Sequence, residues 1–145
     1  MDIRTVKKSS MYPTMIEGDS IVVGKAKNYF LGDIIVYQDK KQIVGHRLIG
    51  QDKTKLILKG DNNSKSERID KKQVIGKVFF INKKKMENNF SQKIIANLSK
   101  QQERILSKKN SVGKIAKTLT NPILYIVNIK RLYTDYLKKI IHKKK

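Results

Sequence analysis

Ile34-Ile35-Val36-Tyr37, the polar link Gln38-Asp39-Lys40-Lys41, and then Ile43-Val44-Gly45-His46-Arg47-Leu48-Ile49-Gly50 form the stretch that decides the fold. Its first part is a continuous β-branched run. Apolar character resumes after the polar link, which is strand chemistry. Upstream lie Ile21-Val22-Val23-Gly24 and the turn residues Gly32-Asp33. Downstream, Leu56-Ile57-Leu58-Lys59 runs into Gly60-Asp61-Asn62-Asn63, a strong turn signal, and Val74–Ile81 is the last strand. Short strands with turn chemistry between them predict a small, strongly bent β unit. Gly45, Gly50 and Gly76 mark bulges or close backbone approaches.

At Asn82-Lys83-Lys84-Lys85 the pattern moves from period 2 toward 3.6. The boundary belongs there, giving a β domain over 1–82 and a basic amphipathic helical extension over 83–145. The expected fold class is therefore a mainly β unit followed by an α-helical C-terminal extension. Phe90, Ile94, Ile95, Leu98, Ile105 and Leu106 trace one helix face, with Asn88 or Asn89 as its cap. Val112, Ile115, Ala116 and Leu119 suggest a second helix. Asn121-Pro122 opens a third, with a stripe of Ile126, Ile129, Tyr133, Tyr136, Leu137 and Ile140. That stripe suits packing on the β unit or the preceding helices first, and an anionic membrane surface or a partner's docking surface second.

The net charge is +21, with 19 Lys and Arg against 9 Asp and Glu in residues 1–85 and 14 against 3 in residues 86–145. Such a field favours anionic surfaces or acidic peptides, or else simply keeps the chain solvated. No nucleic-acid reader motif accompanies it, so nucleic acid is a disfavoured partner. The chain has no cysteine, which removes disulfides and thiolate metal sites. No cluster of metal ligands stands out, and no metal or other cofactor is expected. Neither a signal peptide nor an apolar run of about 20 residues is visible, so a cytoplasmic protein is expected, with peripheral contact at the inner membrane face as an option.

Ser9-Ser10-Met11-Tyr12-Pro13-Thr14-Met15-Ile16-Glu17-Gly18-Asp19 precedes the first of these strands. Pro13 fixes its own φ and pushes Tyr12 out of the helical region, so the backbone around Ser10 is held. A rigid serine at the mouth of a strand suits nucleophilic catalysis if a base lies nearby. Two histidines are available. His142 lies in the basic tail, whereas His46 lies within a strand.

Taken together, Ser10-Met11-Tyr12-Pro13-Thr14, Gly18-Asp19, Gly32–Tyr37, His46–Gly50, Lys59–Asn63 and Val74–Val78 resemble the signal peptidase I family of serine peptidases. The motifs occur in that family's order over about residues 6–81. Bacterial members, and the related LexA-like self-cleaving repressors, use a lysine base. His46 at the equivalent position resembles the endoplasmic-reticulum and archaeal branch. The resemblance implies Ser10 as nucleophile, His46 as base and Asp61 as the carboxylate that orients it, with Asp70 as runner-up. The Ser10 backbone N–H, helped by Ser9, would form the oxyanion hole, and Met11, Ile35 and Tyr37 would neighbour the substrate. The implied function is a serine endopeptidase acting on a signal, leader or precursor peptide. The competing reading is an inactive peptidase-fold module that binds a peptide or an anionic membrane. It is motivated by Lys8, which stands where the family usually has glycine, and by the absence of the family's N-terminal anchor.

Overall fold

The computed structural model describes residues 1–87 and 90–107, with the side chains of 105–107 outside that description. Eight strands form one antiparallel sheet: β1 (Asp2–Thr5), β2 (Ser20–Gly24), β3 (Ile34–Asp39), β4 (Gln42–Gln51), β5 (Lys55–Lys59), β6 (Glu67–Asp70), β7 (Val74–Ile81) and β8 (Lys84–Lys85). Among the described residues one α-helix, α1 (Phe90–Ser107), follows. The strand order is β1-β2-β7-β3-β4-β5-β6, with β8 pairing on β7. The mainly β class with helix after it is thus observed. The expected second and third helices, the Asn88/Asn89 cap and His142 lie outside the described residues.

The stretch around Lys40 is a hairpin in which Ile35 lies opposite His46 and Asp39 opposite Gln42. Lys40 takes the turn with φ 51. Register shifts at Val22/Val23, Val36/Tyr37 and Leu48/Gly50 bend the sheet. Because side chains alternate, the sheet carries an apolar cluster on each face. One comprises Ile35, Tyr37, Leu48, Leu56, Leu58 and Ile69; the other is Met11, Met15, Ile21, Val23, Ile34, Val36, Val78 and Ile81. His46 belongs to the first face by its register with Ile35, and Arg47 to the second with Ile34.

The helix departs from its expected face. Ile95, Ala96, Ser99 and Gln102 are buried, whereas Phe90 is 78% exposed. The apolar count alone pointed toward Phe90. The deciding interactions are polar: Gln92 accepts from Arg47 Nη1, and Gln102 Oε1 accepts from Lys59 Nζ at 2.8 Å. Gly32 makes the docking possible. Its φ is +97, and a Cβ there would meet the Gln92 backbone at 2.8 Å. No described helix is long and apolar enough to cross a membrane.

Candidate active site

Ser10 sits in a one-turn 3-10 segment, Ser9–Met11, followed by extended Tyr12 (φ -62, ψ 138) before a cis Tyr12–Pro13 peptide. Met11 is 1% exposed and packs in the second cluster. Burying such a side chain is worth about 2 kcal/mol, so the serine's neighbour is a core anchor. A second clamp comes from the Gly60–Asn63 turn. Asn62 N–H donates to Ser10 O at 2.9 Å, and Asn62 Nδ2 reaches Ser9 O at 3.4 Å. Gly60 permits this approach, since a Cβ there would lie 2.6 Å from Ser10 O. Lys8 has φ -141, extended backbone open to any residue, and its Nζ donates to Gln42 Oε1 at 2.8 Å.

The serine and the histidine meet as expected: Ser10 Oγ lies 3.2 Å from His46 Nε2. The acid does not follow expectation. His46 Nδ1 contacts Glu67 Oε1, and the same carboxylate oxygen accepts from the Tyr37 hydroxyl, which itself lies 3.2 Å from Nδ1. Asp61, expected at this position, faces Arg47. Arg47 Nε and Nη2 donate to its two oxygens at 2.7 Å each, and Thr14 Oγ1 donates to Oδ2 at 2.5 Å. Both residues are buried, and Asp61 acts as counter-ion to a guanidinium that is 0% exposed. Asp70 is excluded by the pleat. It lies three positions beyond Glu67 on β6, hence on the opposite side of the strand, and its backbone N–H donates to Gln73 Oε1 at 2.8 Å.

The residues expected to neighbour the substrate face inward. Met11 and Ile35 lie in the core, and Tyr37 is buried with its hydroxyl turned to Glu67 and His46. Glu67 is the residue that the sequence reading missed. It lies in β6, opposite Leu58 of β5, on a four-residue strand with three charged residues. The available signal was Ile69, a single apolar residue two positions along, on the same pleat face.

The electrostatics keep these groups in complementary forms. Burial opposes ionisation of Glu67, but hydrogen bonds from His46 and Tyr37 outweigh it and hold the carboxyl below its usual range. Burial, reinforced by Glu67, raises Tyr37 well above the usual phenol value, so its hydroxyl stays a donor. A carboxylate at Nδ1 favours the tautomer with its proton on Nδ1, leaving the Nε2 lone pair toward Ser10. Among the described residues, no cluster of His, Cys, Asp and Glu could hold a metal ion.

Beneath the site, Lys59 lies opposite Arg47 in register and is 0% exposed. Burial lowers its pKa, partly offset by Asp61 and Glu103. The folded state therefore disfavours the charged lysine fully below the lowered value, and this penalty lifts as pH rises through it toward 10.5. Wild type is expected to gain stability relative to Lys59→Met over that window, read from urea midpoints. A difference that does not change with pH would contradict the burial of the charge.

Residues 3–79 match the family described as Peptidase S24-like. No curated protein matches the chain. The match spans more than half of the sequence and covers the serine turn, the histidine strand and the Glu67 strand, so the chain belongs to the Peptidase S24-like family.

Proposed function

We propose that the protein is a serine endopeptidase in which Ser10 is the nucleophile, His46 the general base and Glu67 the orienting carboxylate. The observation that carries this reading is the relay from Ser10 Oγ to His46 Nε2 at 3.2 Å and from His46 Nδ1 to Glu67. His46 accepts the hydroxyl proton as Oγ attacks a peptide carbonyl, then returns it to the leaving amine. Glu67 stabilises the imidazolium formed between these steps. Water, activated by the same imidazole, then releases the acyl group from Ser10. The Ser10 backbone N–H, with Ser9 beside it, is the proposed oxyanion donor set. A histidine within reach of Ser10 Oγ supports a base of the kind used by the His-using signal-peptidase-like enzymes rather than a lysine.

The substrate reading rests on the sheet. Residues 42–46 of β4 pair with β3, while the ladder to β5 begins only at Arg47. Their other edge runs toward His46 and is open to strand addition by an extended peptide, such as a leader or precursor segment. Exposed Ile43 lies on this edge.

Incubation with a fluorophosphonate and mapping of the adduct by mass spectrometry tests the reading. Labelling is expected on Ser10, and its loss is expected in His46→Ala. An inert Ser10 in the folded wild type would favour a binding module over an enzyme.

A further inference from the structure

We infer that Glu103 of α1 is a positioning residue that holds the Glu67 carboxylate on His46. This rests on the Ser10/His46/Glu67 reading, and it extends the site beyond the family match at residues 3–79. Glu67 needs such support. Among the described residues its strand, β6, is the last in the sheet order and has β5 as its only strand neighbour. Its side chain is 37% exposed, and the Tyr37 hydroxyl and His46 hold only its carboxylate end, not the strand that carries it. Immediately before it, Ser66 donates twice to Glu103 Oε1: the backbone N–H at 2.9 Å and Oγ at 2.6 Å.

The other end of this link is packed and bonded to the sheet. The helix buries Ile95 and Ala96, and it is bonded to adjacent strands through Gln92 with Arg47 and Gln102 with Lys59. Glu103 follows Gln102 directly. It therefore transfers the fixed position of α1 to the start of β6, one residue from the carboxylate that orients the base. Displacement of a catalytic group by about 1 Å is enough to slow chemistry by up to about a hundredfold. Binding of the reagent, which occurs at the Ser10 side, is left alone.

Two independent readouts test this on the full chain. The first is inactivation by a fluorophosphonate, separating the maximal rate from the half-saturating concentration. The second is the far-downfield proton resonance of His46 Nδ1–H, which needs no catalysis. Glu103→Ala is expected to lower the maximal rate by about tenfold with half-saturation unchanged, and to weaken the resonance. Ser66→Ala, which keeps the backbone donor, should do the same to a smaller degree and decides the matter if Glu103→Ala does not fold. Glu103→Gln retains the acceptor and should restore both signals. Wild-type rate and an intact resonance in a folded Glu103→Ala overturn the inference, as does a Gln variant no better than Ala. If wild type does not react but its resonance is lost in Glu103→Ala, the peptidase reading fails and the positioning role stands. If wild type shows neither labelling nor resonance, both fail.

Discussion

Ser10→Ala and His46→Ala are each expected to lower kcat for peptide hydrolysis by on the order of 10^6, while the folded state remains intact. The effects should not add, because Ser10→Ala removes the nucleophile and His46→Ala removes the group that takes its proton, and the two act as one unit. Glu67→Gln is expected to lose on the order of 10^4 with little change in KM. Its amide can present an N–H to Nδ1, which selects the tautomer with the proton on Nε2. That imidazole cannot accept from Ser10, although it lies 3.2 Å away. Glu67 itself stays ionised below its ordinary range, so its own protonation should not set the acid limb of the activity profile. Its depressed value also adds stability that is present above the ordinary glutamate value and lost as pH falls through the lowered one. Rates with an extended peptide, alongside thermal unfolding of each variant, check these expectations. Wild-type kcat in Glu67→Gln would remove Glu67 from the mechanism.

The parts of this site that were legible in the sequence are those with strong local chemistry. Tyr12-Pro13 and Gly60–Asn63 are turn formers whose backbone demands are met wherever they occur. The apolar runs at Ile34–Tyr37 and Ile43–Gly50 could bury themselves only as sheet, which placed His46 on a strand. Asp61 was the natural candidate acid because it stood in a recognisable turn. The actual partner came from β6, where Glu67-Arg68-Ile69-Asp70 has no hydrophobic run to announce a strand. That segment becomes a strand because β5 offers it a ladder, an effect of tertiary structure rather than of propensity. Phe90 failed for a related reason. The helix face was settled by buried Arg47 and Lys59, which need polar partners from α1, and a count of apolar residues does not register such a requirement.

Asp61→Ala is expected to destabilise the fold by about 3–5 kcal/mol, enough to leave many domains of this size barely folded. The cause is the guanidinium left behind. Arg47 is 0% exposed and directs Nε and Nη2 at the two Asp61 oxygens, so removal of the carboxylate strands a positive charge in the interior. Its remaining acceptors, Gly32 O at 2.9 Å, Thr14 Oγ1 at 3.1 Å and Gln92, are uncharged. Removing both charges should be much milder than the sum of the single losses, since buried pairs are often replaceable by apolar groups of similar volume. Urea unfolding of Asp61→Ala, Arg47→Met and the double variant forms the cycle. Additive losses would mean that the two side chains do not sense each other. The same cycle separates the two carboxylates. Asp61 variants should lose stability first, and activity through the loosened turn whose Asn62 N–H holds Ser10 O at 2.9 Å. Glu67→Gln should lose activity while keeping most of its stability, because its carboxylate is partly exposed and, unlike Asp61, is not the counter-ion of a fully buried guanidinium.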